Sequence, residues 1–202
     1  MNWIPQSTKL AGDIIELLPL QPEHFDELAV LAAEPEIWKH IPRDMSNREK
    51  VLRTLTEAID ARDKGVQYPF VIYNKTSKKL AGATRLMNIE PEHRKLEIGW
   101  TWLHPDYWAT AVNFECKLLL LTFCFEVLNA CRVQLKTDEN NIRSRTAILR
   151  TGAKFEGVLR HDMIREDGTK RNTAYYSITD AEWPAAKAQL QRRYYDKKQK
   201  AV

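Results

Sequence analysis

The most informative segment of the chain runs from Lys95 to Gly157 and reads KLEIGWTWLHPDYWATAVNFECKLLLLTFCFEVLNACRVQLKTDENNIRSRTAILRTGAKFEG. It opens with a predicted strand over Lys95–Leu103, passes a short irregular stretch after Pro105, and enters a long apolar helix over about Val112–Asn129. A strand that turns tightly into a helix leaves several backbone N–H groups pointing one way, and the helix dipole adds positive potential there. The junction therefore predicts a receptor for an anion such as a pyrophosphate; an ordinary β-to-α connection is the alternative interpretation.

Periodicity and turn composition predict the remaining elements on both sides of this segment. Before it, a first strand over residues 10–20 carries a Gly-Asp turn or bulge, Pro22 opens a helix, and the capping box Ser46-x-x-Glu49 opens a second helix. The other predicted elements are strands at 68–73, 80–89, 132–137, 154–164 and 172–178, a helix at 141–151, and a final helix that Thr179-x-x-Glu182 begins. The order β-αα-βββ-α-β-α-ββ-α indicates an α/β fold, an α+β mixed sheet with helices on its faces.

Length and composition limit the class of protein. With 202 residues, of which 44% are hydrophobic, the chain is expected to form a single domain over residues 1–190, followed by a basic C-terminal tail over residues 191–202. Much of the net charge of +4 lies at that end, which is interpreted as a solvated helix end, so no direct nucleic-acid binding is expected. The most apolar run, Leu118–Phe125, is too short to span a bilayer, and residues 1–5 do not resemble a secretion signal.

Cysteine and histidine usage indicates the compartment and argues against a metal site. The chain has three cysteines with no C-x-x-C pair, an odd number that is typical of reduced thiols in a cytoplasm. Its five histidines are scattered and form no H-x-x-x-H or H-x-x-E-H pattern. We therefore expect a cytoplasmic protein that binds no metal and does not associate with a membrane.

An ordered set of short motifs in the decisive segment resembles the GNAT superfamily of acetyltransferases. The motifs are, in order, Glu97-Ile-Gly-Trp, Trp108-Ala-Thr-Ala-Val-Asn, Glu115-x-Lys117-Leu-Leu-Leu-Leu, Arg132-Val-Gln-Leu-Lys-Thr-Asp, Asn141-x-x-Ser144 and Gly152-Ala-x-x-Glu156-Gly-Val-Leu-Arg160. Within the superfamily, the sequence is similar to the branch named for ribosomal-protein N-terminal acetyltransferases, the RimJ/RimL type, over roughly residues 10–190. The resemblance implies the GNAT acyl-CoA N-acyltransferase fold, with acetyl-CoA as co-substrate and no metal.

The resemblance also implies which residues bind CoA. In the family, the segment after the fourth strand reads Arg/Gln-x-x-Gly-x-Gly/Ala, and the matching positions here are Trp108, Ala111 and Asn113, with Ala109 where many members have glycine. Because backbone amides bind the pyrophosphate, an alanine still donates its N–H, although its Cβ disfavours a positive φ. The implied CoA-binding residues are Trp102, Leu103, Trp108, Ala109, Thr110, Ala111, Val112, Asn113, Asn141 and Ser144.

The family reaction is direct transfer from the thioester to an amine, and the resemblance implies catalytic roles. Glu97 is expected to accept the ammonium proton, through water; a glutamate that faces solvent or pairs with a cation such as Arg85 is the alternative. Ser144 resembles the position near the CoA sulfur and is expected to donate a proton to the thiolate or to hold a water. Asn141 is predicted independently as the N-cap of its helix. Backbone N–H groups around Trp102 and Leu103 are expected to stabilise the tetrahedral oxyanion.

The acceptor is expected to be a primary amine, either a protein N-terminal α-amine or a small molecule. Trp38 and Arg85 are candidate residues of the acceptor cleft, although Trp38 is equally interpreted as a ring that covers the sheet. A catalytically inactive GNAT domain that binds CoA or a protein partner is the alternative function, favoured by Ala109 and Ala111. The sequence also allows a homodimer and another acyl donor such as succinyl-CoA.

Overall fold

Residues 3–199 are described by the computed structural model, and they form one eight-stranded mixed sheet with five α-helices. The strands are β1 (Leu10–Ala11), β2 (Ile15–Pro19), β3 (Tyr68–Asn74), β4 (Lys79–Glu90), β5 (Lys95–Leu103), β6 (Arg132–Asp138), β7 (Lys154–Ile164) and β8 (Lys170–Thr179). The helices are α1 (Phe25–Ala32), α2 (Arg48–Asp63), α3 (Ala111–Thr122), α4 (Ile142–Leu149) and α5 (Trp183–Gln199). The predicted α/β class and the order of elements are confirmed, apart from the first strand.

Two hydrophobic cores lie on opposite faces of the sheet. The strands follow the order β1-β2-β3-β4-β5-β6-β8-β7, and neighbours are antiparallel except β5 and β6, which are parallel. Helices α1 and α2 cover one face with a core that includes Leu28, Leu55 and Trp102. Helices α3 and α5 cover the other face with a core that includes Leu120 and Leu190. The apolar α3 is therefore buried between the sheet and α5, as its hydrophobic sequence predicts.

The predicted first strand over residues 10–20 is a hairpin of two strands, β1 and β2. The N–H of Gly12 donates to the carbonyl of Ile15 at 2.9 Å, so the Gly-Asp pair reverses the chain instead of bending one strand. The Glu115 carboxylate of α3 stabilises this turn, because it accepts the backbone N–H groups of residues 13–15 at 2.7–2.9 Å. A local pattern could not show this contact, since it comes from a distant part of the chain.

Helix α2 begins one residue later than the capping-box prediction. Its N-cap is Asn47, whose side-chain oxygen accepts the N–H of Lys50 at 3.1 Å. The N–H of Ser46 donates instead to the Asp44 carboxylate, so Ser46 is not the N-cap and the prediction of Ser46-x-x-Glu49 as the capping box is wrong. The physical signal is the same in both interpretations, because a short polar side chain satisfies an N–H of the first turn.

Helix α5 passes through the boundary predicted at residue 190 and continues to Gln199. Tyr194 is 2% exposed, and its hydroxyl donates to the Glu115 carboxylate at 2.7 Å. Tyr194 therefore packs with the domain although it lies in the predicted basic tail, because core contacts rather than composition decide which residues are buried; the division at residue 190 stays a prediction. Residues 200–202 of the predicted tail lie outside the described residues.

Strands β5 and β6 separate along their length, and this separation positions the site. Their parallel register covers only Lys95–Glu97 against Arg132–Gln134. Beyond it, β5 stays paired with β4 up to Leu103, and β6 stays paired with β8 up to Asp138. The two halves of the sheet therefore diverge and leave a wedge-shaped gap between β5 and β6.

Candidate active site

A cavity of about 530 Å³ occupies the gap between β5 and β6. Its walls include residues 99–103 of β5 and residues 135–137 of β6. Helices α2, α3 and α4 and the loop before α2 also contribute lining residues, so the cavity extends to both faces of the sheet. A cavity of this kind can admit two reactants from opposite sides.

A β-bulge lies where β5 forms the cavity wall. Arg85 of β4 pairs with Gly99, and Ala83 pairs with Trp102, so β5 has one residue more than β4 in this interval. Trp100 lies within the bulge and has a φ of +48°, which is uncommon for a residue other than glycine. Because β6 no longer pairs with β5 here, the N–H groups on that side have no partner strand within residues 3–199. Such groups are available to the carbonyl oxygen of a ligand.

Helix α3 begins at the cavity, and its first turn has the features of the predicted anion receptor. Ala109 precedes the helix, lines the cavity and has a φ of +58°. Thr110 is the N-cap: its hydroxyl accepts the N–H of Val112 at 3.3 Å and donates to the carbonyl of Tyr107 at 2.7 Å. The first N–H groups of a helix have no intrahelical acceptor, so those that the cap leaves open can bind an anion.

Trp108 brings a cation to the same end of the helix. Its indole N–H donates to the carbonyl of Leu103 at 2.8 Å, which holds the ring at the junction. The guanidinium of Arg143 in α4 lies 3.4 Å from the centre of that ring, a cation–π contact. Arg143 also lines the cavity, so it supplies a positive charge where the family motif has Arg or Gln. Sequence reasoning missed Arg143, because nothing local connects α4 to Trp108.

Glu97 is 1% exposed, and polar side chains hold one of its two carboxylate oxygens. Oε2 accepts the amides of Asn88 and Gln134, each at 2.9 Å, and lies 3.2 Å from the Lys136 ammonium. Oε1 has no protein donor among residues 3–199 and lies beside Gly99, where a Cβ would come within 2.8 Å of it. Because Glu97 is buried, it is not the solvent-facing glutamate of the alternative interpretation. It does form an ion pair with a cation, which is Lys136. A carboxylate with one free oxygen at a cavity wall can still accept a proton.

Asn141 and Ser144 lie at the start of α4, and both line the cavity. The side-chain oxygen of Asn141 accepts the N–H of Ser144 at 3.0 Å, which confirms Asn141 as the N-cap. The Ser144 hydroxyl makes no hydrogen bond within the described part of the chain. It is therefore free to bind a ligand or a water molecule.

Lys117 of α3 is a cavity residue to which the sequence prediction assigned no role. It is 7% exposed, and its ammonium donates to the hydroxyl of Thr101 at 2.7 Å, which contacts the hydroxyl of Thr84 at 2.8 Å. Burial lowers the pKa of Lys117. A lone lysine within an apolar helix is the signal that could have identified it, because a buried charge requires a specific environment.

Of the two predicted acceptor residues, Arg85 lines the cavity and Trp38 does not. The guanidinium of Arg85 lies 4.7 Å from the ring centre of Trp100. Trp38 is buried: its indole N–H donates to the carbonyl of Ala32 at 2.7 Å, and its ring centre lies 5.5 Å from that of Trp102. The structure thus places Trp38 in the core behind Trp102, because its ring packs against apolar neighbours and its N–H is satisfied there.

The structure brings most of the predicted site residues together in this one cavity. Those that line it are Glu97, Trp102, Leu103, Trp108, Ala109, Asn113, Asn141, Ser144 and Arg85. The side chains of Thr110, Ala111 and Val112 do not line it, since Thr110 caps α3 and the other two are packed in the core. Of these three residues, only the backbone at the helix terminus can contribute to the predicted site.

Two features of other protein classes are absent from residues 3–199. No group of three or more His, Cys, Asp and Glu side chains is placed to hold a metal ion in this part of the chain. None of the described helices combines the length and apolar character that crossing a membrane requires.

Comparison with protein families identifies the class to which this fold and cavity belong. Residues 15–154, more than half of the chain, match the family model described as Acetyltransferase (GNAT) domain. The chain therefore belongs to the GNAT acetyltransferase family, and the resemblance seen in the motifs is confirmed.

Individual relatives agree with this family. The chain is 31% identical over 108 residues to "Putative ribosomal N-acetyltransferase YdaF" of Bacillus subtilis (strain 168), a match to 54% of this chain and 58% of that protein, which is less than two thirds of its length. A GCN5-related N-acetyltransferase from Brucella melitensis is 28% identical with a TM-score of 0.85, covering 93% of this chain and 86% of that one. The microcin C7 self immunity acetyltransferase MccE, solved with acetyl-CoA and AMP, shares the fold at 21% identity and a TM-score of 0.75, covering 83% and 93% of the two chains.

Proposed function

We propose that this chain is an acetyl-CoA-dependent N-acetyltransferase that transfers an acetyl group directly to a primary amine. The observation that carries the proposal is the meeting of the α3 N-terminus, the unpaired side of β5 and Glu97 in one cavity. The α3 N-terminus supplies an anion receptor, β5 supplies N–H donors for a developing oxyanion, and Glu97 supplies a proton acceptor. Membership of the GNAT family supports the same reaction.

The donor side of the cavity is the side of α3 and α4. In our proposal, the CoA pyrophosphate binds the open N–H groups of the first turn of α3, and Arg143 on Trp108 adds a charge beside them. The rest of the donor extends into the gap between β5 and β6, where the unpaired N–H groups of β5 meet its amide and thioester oxygens. The acceptor then enters from the side of α1 and α2.

The proposed chemistry is one acyl transfer with balanced protons. Glu97 takes the proton that converts the ammonium to an amine, through its free Oε1 or a water. The amine nitrogen attacks the thioester carbonyl, and N–H groups of β5 around Trp102 and Leu103 stabilise the oxyanion. Collapse breaks the C–S bond, and the thiolate gains a proton from Ser144 or a water that it holds. As the amide forms, the nitrogen gives its second proton to Ser144 or that water, which restores the group that protonated the thiolate, and Glu97 releases the first proton to solvent.

Replacing Glu97 tests the proposed base. We expect Glu97→Gln to lower kcat by about 100-fold or more while acetyl-CoA affinity stays near that of the wild type, because proton transfer is lost and the donor side is untouched. The control is Glu57→Gln, which removes an exposed carboxylate that also lines the cavity. The release of CoA is measured over a range of pH. If Glu97→Gln keeps the full kcat at every pH, Glu97 is not the base.

A catalytically inactive GNAT domain that binds CoA or a protein partner is the second candidate. The observation in its favour is Ala109, whose positive φ would suit a glycine better at the point where a phosphate approaches. Calorimetry with acetyl-CoA, followed by CoA release with a panel of amines, separates the two functions. Acetyl-CoA binding with turnover supports the enzyme, and binding without turnover supports the inactive domain. Binding that appears only after Ala109 and Ala111 are changed to glycine indicates a lost cofactor site.

Protein N-termini are the first acceptors to test. The name of the B. subtilis relative refers to a ribosomal N-acetyltransferase. An α-amino group, with a pKa of about 8, is also deprotonated far more readily at neutral pH than a lysine, at about 10.4. N-terminal peptides and polyamines, assayed side by side, distinguish a protein acceptor from a small-molecule amine.

A further inference from the structure

Arg85 is a buried cation that makes no ion pair with a carboxylate in the described part of the chain. It is 9% exposed, and its two hydrogen bonds go to neutral oxygens, the side chain of Gln67 at 3.1 Å and the carbonyl of Thr54 at 3.5 Å. Among residues 3–199, no carboxylate oxygen lies within 4 Å of its guanidinium. A guanidinium carries five N–H donors, so most of them remain available to a ligand.

The unmatched charge of Arg85 favours an anion in the cavity. Burial lowers the pKa of Arg85 to about 10, so the side chain is still protonated at neutral pH, and its charge is costly without a partner. Glu57 of α2, the acid that opposes this shift, is exposed to solvent. The guanidinium also lies over the Trp100 ring, a cation–π contact that leaves its N–H donors unused. A guanidinium with free donors can bind a carboxylate through two parallel hydrogen bonds.

Two buried acids near Arg85 and Arg171, Glu97 and Asp138, already have cationic partners. Oε2 of Glu97 contacts Lys136 at 3.2 Å, and Asp138 accepts a hydrogen bond from Arg165. Arg171 also lines the cavity at 6% exposure; its nearest carboxylate oxygen, on Asp138, is 3.8 Å away, and its Nε has no partner. Positive charge therefore exceeds negative charge at this end of the cavity.

Arg85 and Glu97 share one face of the β4–β5 pair. Arg85 lies directly opposite Gly99, and Met87 lies directly opposite Glu97. Arg85 and Glu97 are therefore diagonal neighbours on adjacent strands. Such neighbours have Cα atoms roughly 7–8 Å apart and side chains on the same face of the sheet. The absent side chain of Gly99 leaves open the space beside Oε1 of Glu97. An anion at Arg85 and an amine at Glu97 would therefore be separated by only a few bonds.

We propose that the acceptor is an amino carboxylate, with its carboxylate bound by Arg85 and its amine at Glu97. This inference rests on the N-acetyltransferase function proposed above and names the substrate class. Two sources share this chemistry: a free amino acid, and a peptide whose N-terminal residue is aspartate or glutamate. Amines without an anionic group lack the carboxylate that Arg85 binds. Polyamines also bring positive charge to a part of the cavity where positive charge is already in excess.

The test compares acceptors in pairs, of which one member has a carboxylate and the other has the corresponding carboxamide. Free amino acids are paired with their carboxamides, and short amidated peptides that begin with Asp or Glu are paired with peptides that begin with Asn or Gln. We expect kcat/KM to be about 100-fold higher for the acid in the preferred pair, because its carboxylate matches a buried guanidinium. The type of pair that shows the difference identifies the source of the carboxylate. Equal rates for acid and amide in all pairs overturn the proposal.

Variants of Arg85 connect the preference to this residue. Arg85→Met should remove the preference by lowering kcat/KM for the acid to about that of its amide, and Arg85→Lys should keep only part of it, because an ammonium lacks the planar fork. Arg43→Met, which removes an exposed charge at the same cavity, should keep the preference. An unchanged acetyl-CoA affinity shows that Arg85→Met is folded. A preference that survives in folded Arg85→Met overturns the assignment.

Failure of the proposed function is distinguishable from failure of this inference. If no acceptor releases CoA, the transferase proposal fails, and calorimetry of the CoA-saturated wild type then tests the anion site directly. N-acetyl amino acids and their carboxamides are the probes. Binding of the acid alone, lost in Arg85→Met, supports the carboxylate site without turnover, and equal or absent binding of both probes overturns it.

Discussion

Ala109 has a positive φ of +58° at the entrance to α3, whereas Ala111 two residues later is the first residue of the helix. We expect Ala109→Gly to raise the free energy of unfolding by about 0.5–1 kcal/mol, because relief of the left-handed conformation exceeds the entropy that glycine adds to the unfolded chain. Ala111→Gly is the matched control and should lower it by about 0.5–1 kcal/mol. Urea denaturation measures both. If the free energy of unfolding changes in the same direction in both variants, this account is contradicted.

Lys117 is a buried charge whose ammonium contacts a hydroxyl, Thr101, rather than a carboxylate. We expect Lys117→Met to be more stable than the wild type at pH 7, on the order of 1 kcal/mol, because methionine fills similar space without a charge to desolvate. Burial lowers the folded-state pKa below its usual 10.5, so between the two values the unfolded chain binds more protons and wild-type stability rises with pH. The advantage of Lys117→Met should therefore shrink from pH 7 to pH 10 in denaturation experiments. An advantage that grows with pH would show that Lys117 is not a desolvated cation.

At the scale of elements, Glu115 joins three parts of the chain that are distant in sequence. Its carboxylate accepts three backbone N–H groups of the β1–β2 turn and the hydroxyl of Tyr194 in α5. We expect Glu115→Gln to lower the free energy of unfolding by about 3 kcal/mol, because an amide has only one oxygen to accept these donors. Tyr194→Phe removes one of them and should lower it by about 1–2 kcal/mol. Equal losses in the two variants would mean that the turn does not depend on Glu115.

At the scale of the whole molecule, the end of the folded domain is testable by truncation. Removing residues 191–202 deletes the buried ring of Tyr194 and should destabilise the protein by at least about 3 kcal/mol, because a large core side chain is lost. Removing only residues 200–202 is the control and should change little. Thermal unfolding of both proteins gives the comparison. If both are as stable as the full chain, α5 beyond residue 190 is dispensable.

The homodimer and the cytoplasmic location stay predictions. Edge strand β7 exposes large apolar side chains, among them Phe155, Leu159 and Ile164, which are 50%, 53% and 73% exposed. Exposed apolar residues on an edge strand are typical of a surface that meets another chain. The molar mass in solution, from light scattering, tests the homodimer that the sequence allows.

The order and type of most elements could be predicted from local sequence patterns. Strand β5 over Lys95–Leu103 and strand β7 over Lys154–Ile164 have the predicted bounds, because alternation and turn residues are local signals. The anion-receptor junction and the Asn141 cap were predicted for the same reason, since each depends on a few consecutive residues. Together with the motif order, these local patterns were enough to indicate the family.

Which side chains share the cavity depends on tertiary contacts and could not be predicted from local patterns. Trp38 packs behind Trp102, Arg143 stacks on Trp108, and Glu97 has one oxygen held and one free. The bulge at Trp100 and the divergence of β5 from β6 likewise depend on neighbouring strands. Patterns along a chain report its own periodicity, whereas burial, pairing and the matching of charges depend on residues far away in sequence. For that reason the fold was predictable from local signals, and the charge balance around Arg85 became visible only when β4, β5 and α2 were brought together.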